Sequence, residues 1–528
     1  EASYRRALEI KPDNPAAHND LGAALQALGR VAEAEASYRR ALELKPDYAE
    51  AHSNLGNALR EQGQLAEAEA SYRRALELKP DFPAAHCNLG NVLLDLRRRS
   101  QAEACYRHAL ELKPDYHAAL GNLLFLLNYD PERTAEEIFA AYRQFDERFG
   151  LPLRAEWRAH GNERQSERRL RVGYVSPDFC NHPCRHFIEP LLTHHDKSAV
   201  EVFAYADVAV EDQVSARMKS HVDHWVPTVG MDDAQMAERI RADGIDILVD
   251  LAGHTRGNRL LVFARKPAPV SVTTLGFGCT TGLSAIDWYL TDAHVVPEGF
   301  EHLFSERPWR ISECLVYRRA EAMGEVSALP ALSRGHVTFG TLTRAVRINH
   351  HTVRVWSQIL QRVAGARLCI DSGNFRDPGL RQSLTEQFAA HGIAKERLEL
   401  GFHSPPWDVL RGIDISLDCF PHNSGTTLFE SLYMGVPFVT LAARPSVGRL
   451  GSSILAHAGH PEWIAQSEAE YVDTAVALAS DLPRLAAVRA RLRAQMQASA
   501  LMDEPGHVRN LEAAYREMWR QWCGRRAP

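Results

Sequence analysis

The segment EASYRRALEIKPD at Glu1 returns as EASYRRALELKPD at Glu35 and Glu69 and as EACYRHALELKPD at Glu103, a fixed spacing of 34 residues. A unit of that length buries its apolar face only by stacking on its next copy, so this part of the chain is a linear array. The same small and large positions recur: Leu21, Gly22, Leu25, Ala34, Tyr38, Ala41 and Pro46, then Leu55, Gly56, Leu59, Ala68, Tyr72, Ala75 and Pro80. Glycine and alanine let two helices approach, tyrosine fills the gap, and proline ends the second helix.

A 34-residue period with two helices per unit is the tetratricopeptide signature. Units are expected over 15–48, 49–82 and 83–116, after a half-unit whose first helix is expected to precede Glu1. An apolar stretch at 123–127, a break at Asn128-Tyr129-Asp130-Pro131 and an amphipathic segment at 132–150 read as the closing helices of an α-solenoid over residues 1–150. Asn54, Asn88 and Asn122 also stand 34 apart, with Asp20 at the equivalent place in the first unit. Asparagine is a mediocre helix former. An amide ladder on the inner helices can instead hydrogen-bond the backbone of an extended polypeptide without reading its side chains. The plain alternative is a solvated face.

At about 150 residues per domain, 528 residues leave room for two or three further units. The net charge of −6, with no long basic run, argues against nucleic acid as a partner. No run of eighteen or more apolar residues is present, which argues against a membrane span. Nine cysteines scattered from Cys87 to Cys523 without paired CxxC motifs argue against a disulfide framework or structural zinc. Cys180 and Cys184 read as free thiols near a loop. A cytoplasmic setting is expected, with no bound cofactor and no metal.

A polar stretch from Gly161 marks a linker over 151–169, after which strands and helices alternate. Strands are expected at 170–176, 200–206, 247–253, 270–277 and 288–292, and again at 336–342, 366–372, 398–402, 415–420 and 437–441. Two groups of five parallel strands predict two Rossmann-like domains, 170–330 and 331–502, followed by a helix over 503–528 that crosses back to the first domain. The class is thus α plus α/β. Neither GxGxxG after a strand nor a Walker A sequence occurs, which disfavours dehydrogenases and NTPases. In such sheets ligands bind beyond the carboxyl ends of the strands.

Three loops there carry chemistry. In SPDFCNHPCRHF, Pro183 suits the first helical position and puts His182 at the N-cap, able to hold a phosphate or take a proton from a hydroxyl. His254, in GHT after the strand near 253, is the second choice of base. In DCFPHNSGTTLFESLYMGVP, Gly425, Thr426 and Thr427 open a helix and make a phosphate cradle. Glu430 either closes a capping box with Thr427 or accepts the hydroxyls of a ribose. In TLTRAVRINHH, Arg344 and Arg347 are placed to neutralise a pyrophosphate.

The repeats, SPDFCNHP, DLAGHTRGNR with KPAPVSVTTLGF, TLTRAVRI and DCFPHNSGTTLFESLYMGVPFVTL occur in an order that resembles the O-linked N-acetylglucosamine transferase family, in a compact bacterial-type form. The resemblance implies the GT-B glycosyltransferase fold. It also implies metal-independent, inverting transfer of N-acetylglucosamine from UDP-GlcNAc to protein serine or threonine hydroxyls. By motif it implies His182 as the active-site histidine, Gly276, Thr280 and Thr281 on the sugar, Gly425 to Thr427 on the diphosphate and Glu430 on the ribose. Arg347 stands where the family has a lysine that stabilises the leaving UDP, and an arginine fork is not a point charge. Two further departures are Gly276-Phe277-Gly278-Cys279, where the family has glycine-aromatic-proline-glycine, and a shortened Ser404-Pro405-Pro406-Trp407 without the usual flanking lysine and histidine. These departures support an alternative, a repeat scaffold whose GT-B domains bind nucleotide but transfer weakly. A solenoid fused to the lobes points to polypeptide acceptors rather than small glycans.

Overall fold

The computed structural model describes residues 1–276 and 278–524. Phe277 of the expected fourth strand and positions 525–528 of the expected last helix lie outside the described residues.

The solenoid pairs helices Pro15–Ala27 with Val31–Leu44, Ala49–Glu61 with Leu65–Leu78, and Pro83–Asp95 with Arg99–Leu112. Its small residues are where the packing demands them. A Cβ on Gly22, Gly56 or Gly90 would meet the ring of Tyr38, Tyr72 or Tyr106 at 2.5–2.7 Å, so each tyrosine lies flat on a bare backbone. His18, His52 and His86 tie each unit to the preceding turn through Nε2 and the carbonyls of Pro12, Pro46 and Pro80. Helices His117–Leu127 and Ala135–Phe145 close the array, the latter opened by a capping box between Thr134 and Glu137.

The first sheet has seven parallel strands: β1 Leu170–Ser176, β2 Val200–Ala206, β3 His224–Pro227, β4 Ile247–Asp250, β5 Val270–Thr273, β6 Trp288–Thr291 and β7 Arg307–Arg310, in the order β3-β2-β1-β4-β5-β6-β7. The second has six: β8 Thr338–Leu342, β9 Arg367–Asp371, β10 Leu398–Gly401, β11 Ile415–Leu417, β12 Phe438–Leu441 and β13 Ile464–Ala465, in the order β10-β9-β8-β11-β12-β13. Two groups of five strands therefore become seven and six. The three additions, β3, β7 and β13, are all edge strands. An edge strand pairs on one side only and need not read as an apolar run, as HWVP and RPWR do not.

Helix Glu504–Gly524 returns to the first sheet, where Leu511, Tyr515 and Trp519 are buried in one cluster with Val172 and Tyr174. The solenoid does not hang free. Leu124, Tyr142 and Phe145 share an apolar cluster with Leu283 and Ile286 of the first lobe and Val346 of the second. A Cβ on Gly282 would collide with the Tyr142 carbonyl.

Candidate active site

Strand order reverses between β1 and β4 in the first sheet and between β8 and β11 in the second. Crevices open at such points because adjacent crossovers leave to opposite faces. The loops after these four strands carry His182, His254, the two arginines and Gly425–Thr427. They surround one cleft of 1850 Å³, whose remaining wall is the inner face of the solenoid.

In the second lobe the cradle is built around Asp418. Its Oδ1 accepts the amides of Cys419 and Ser424, both at 2.8 Å, and its Oδ2 accepts the Thr440 hydroxyl at 2.8 Å. Burial pushes this carboxyl up to about 7. The loop so held delivers Gly425 as N-cap of helix Thr426–Tyr433, with no side chain capping it. The first amides of that helix lack intrahelical acceptors, and space beside Gly425 is open, which suits an anion. The Glu430 carboxylate closes no capping box, and no hydrogen bond to it is recorded among the described residues. It is buried, faces the cleft, and is pushed up to about 7 by burial, against the pull of Arg185 in the first lobe.

The two arginines part company. Arg347 lines the cleft with its buried Nε lacking any acceptor. Arg344 donates to Asp95 of the solenoid at 3.0 Å, and Asp95 also accepts from Arg60 at 2.8 Å. Arg344 also borders the cleft, but one of its guanidinium nitrogens is held by buried Asp95, which ties the residue expected on the pyrophosphate to the solenoid as well.

In the first lobe His182 is not an N-cap, a second correction. Helix Arg185–His194 begins three residues later with Cys184 as its cap, and His182 lies in the preceding turn with its ring exposed to the cleft. Its Nδ1 accepts the Cys184 amide at 3.3 Å, so the neutral ring assigned from this bond carries its proton on Nε2. His254 is corrected as a candidate base. It is walled in by Tyr142 and Phe145, its Nε2 donates to the Thr281 carbonyl at 2.7 Å, and burial pulls it down to about 4. Such a ring stays neutral and binds protons poorly.

The sugar-loop residues also shift meaning. A Cβ on Gly276 would meet Gly253 N at 2.5 Å, so this glycine is required for the packing of one loop on another, although it still borders the cleft. Thr280 donates to Glu306 at 2.6 Å, and the Thr281 amide and hydroxyl both donate to the same carboxylate. All three residues are buried. Thr280 and Thr281 brace the loop rather than face a sugar.

Asn54, Asn88 and Asn122 do line the cleft. Two of the ladder amides are bonded to the neighbouring unit: Asn54 Nδ2 donates to Asn19 at 2.9 Å and Asn122 Nδ2 to the Cys87 sulfur at 3.3 Å. A second register, Asn57 and Asn91, accepts from the hydroxyls of Tyr72 and Tyr106. Sequence reasoning missed His403 and Asp371, which end or follow β10 and β9. Asp371 accepts from His403 Nδ1 at 2.5 Å and from its amide at 3.1 Å, and the ring opens into the cleft. The rule that ligands sit beyond strand ends, extended to β9 and β10, would have found them.

The profile of glycosyl transferase family 41 matches residues 148–315 and 328–511, and tetratricopeptide profiles match 2–29, 27–59, 56–96 and 83–116. A probable UDP-N-acetylglucosamine–peptide N-acetylglucosaminyltransferase, SPINDLY, of Arabidopsis thaliana is 36% identical over 77% of this chain and 45% of its own length. A second, SEC, of the same plant is 30% identical over 68% of this chain and 38% of its own length. The chain thus spans less than half of these curated relatives. A solved O-GlcNAc transferase variant from Thermobaculum terrenum superposes with a TM-score of 0.91 at 35% identity, covering 96% of this chain and 98% of that one. Since the family 41 profile covers more than half of the chain, and a relative is 36% identical over 77% of it, the chain belongs to glycosyl transferase family 41.

Proposed function

We propose that the chain transfers N-acetylglucosamine from UDP-GlcNAc to serine or threonine hydroxyls of polypeptides, inverting the anomeric centre and using no metal. One observation carries the reading: the phosphate cradle at Gly425–Thr427, His182 and the asparagine faces of the repeats border a single cleft. UDP sits with its diphosphate on the amides and hydroxyls of Thr426 and Thr427 and on Arg347, and its ribose on Glu430. The acceptor lies along Asn54, Asn88 and Asn122, bringing a hydroxyl to the sugar. Since His182, with Nδ1 accepting the Cys184 amide, presents Nε2–H, it donates to the donor's oxygens, and the hydroxyl proton passes to a phosphate oxygen. That all nine cysteines are free fits the reducing cytoplasm.

The second reading, a scaffold that binds nucleotide and transfers weakly, draws support from Arg344 and the two threonines being committed elsewhere. Labelled UDP-GlcNAc, with other UDP- and GDP-linked sugars beside it, should be incubated with the protein in a lysate lacking the native enzyme. Label entering proteins from UDP-GlcNAc, undiminished by a chelator, is the expected result. Nucleotide binding without label from any donor would replace transfer by the scaffold reading.

A further inference from the structure

The turn after β1 gathers three unlike side chains around the Asp178 carboxylate, which pairs with the Cys184 thiol and the His182 ring. Asp178, His182 and Cys184 each offer one donor atom, and these atoms lie within 4.8 Å of one another. His182 Nδ1 stands 3.5 Å from Asp178 Oδ2. That is long for a hydrogen bond, yet close to the edge of a tetrahedron built on bonds of about 2.0–2.1 Å. The turn is pre-shaped by its own backbone. The Asp178 amide donates to Ser176 Oγ at 2.9 Å, and the His182 and Arg185 amides donate to the carbonyls of Cys180 and His182. Cys184 has no part in the transfer reading. Burial raises its thiol pKa, which keeps it protonated and unreactive.

We propose that this turn binds a zinc-class divalent cation through the Asp178 carboxylate, His182 Nδ1 and the Cys184 sulfur. The fourth position opens on the cleft. Thiolate with imidazole selects zinc-like ions over magnesium or calcium, whose ligands are oxygens. On binding, the sulfur–hydrogen bond breaks, its proton leaves to solvent, and a sulfur–metal bond forms with no change of oxidation state. The cation displaces the Cys184 amide from Nδ1 and fixes the ring with its proton on Nε2. Occupancy therefore holds the ring in the Nε2–H form that the transfer reading uses and adds a positive charge to the cleft, a means of regulation separate from the chemistry itself. The other three-residue group, Glu132 with His350 and His351, contains no thiol.

Titration of the full chain with cobalt(II), followed by zinc(II), tests the site without any transfer assay. A sulfur-to-cobalt charge-transfer band should appear at one metal per chain and vanish when zinc is added. Cys184→Ser should abolish it, Asp178→Asn should weaken binding at least tenfold, and Cys180→Ser should leave it unchanged. Apparent affinity should rise roughly tenfold per pH unit, for one proton released. Should Cys184→Ser fail to fold, Asp178→Asn carries the test alone. No band in the wild type, a band that survives loss of the Cys184 sulfur, or one insensitive to Asp178→Asn overturns the assignment.

Discussion

Burial pushes Glu430 and Asp418 to the same region, about 7, yet their oxygens are used differently. Those of Asp418 are filled by two amides and a hydroxyl, so it shapes the loop. Those of Glu430 are empty and face the cleft. The sign of the pH effect follows. A carboxyl whose folded pKa lies above its unfolded value of about 4 costs stability as pH rises from there through about 7. Glu430→Gln should therefore hold or raise the melting temperature at about pH 8, where loss of a cap would instead cost about 1 kcal/mol of stability. Wild-type UDP affinity should increase between about pH 6 and pH 8 as Glu430 ionises, and calorimetry on Glu430→Gln should lose that part of the slope. In the cradle, Thr426→Ala with Thr427→Ala should weaken UDP by about 1–3 kcal/mol, the range for bonds to charged oxygens. Arg347→Ala should do likewise, while Arg344→Ala leaves affinity nearly unchanged; equal losses would return Arg344 to the diphosphate. His182→Ala should remove most transfer. His254→Ala should act mainly through stability, because that ring packs a seam.

Among the elements, the turn inside each repeat is the instructive one. Gly29 and Gly63 take φ of +74° and +78°, and 34 residues further on Arg97 takes +62°. A side chain there costs roughly 1–2 kcal/mol of backbone strain. Arg97 offsets it by donating to the Ile348 carbonyl at 2.9 and 2.6 Å and to Gln387 at 3.0 Å, which docks the solenoid on the second lobe. Arg97→Gly should leave the repeats folded while hydrogen exchange near Ile348 accelerates; unchanged protection there would remove the docking role. The asparagine helices allow a separate test. Replacing Asn54, Asn88 and Asn122 by alanine should reduce transfer to whole proteins and spare UDP affinity, since none of the three is placed on the nucleotide. Loss of both would indicate misfolding.

For the whole molecule, the 34-residue repeats and the alternation of strands with helices were written plainly along the chain. Both arise from what near neighbours in sequence require: a glycine under each tyrosine ring, an apolar run for a strand covered on both faces. The rule for strand ends then located His182, Arg347, Gly425–Thr427 and Glu430 on one cleft. Three of the four edge strands, β3, β7 and β13, escaped notice because one-sided pairing demands no apolar pattern. What the sequence by itself could not determine was which polar groups are free. Arg344 and Arg347 look alike in TLTRAVRI, but Asp95, 249 residues away, takes the first and leaves the second. His254 looks like a base until Phe145 and Tyr142 close over it. Thr280 and Thr281 look like a sugar loop until Glu306 claims both hydroxyls. Local pattern records the needs of a helix or a strand. Availability for chemistry depends on desolvation and on partners that only the folded chain brings within hydrogen-bond distance.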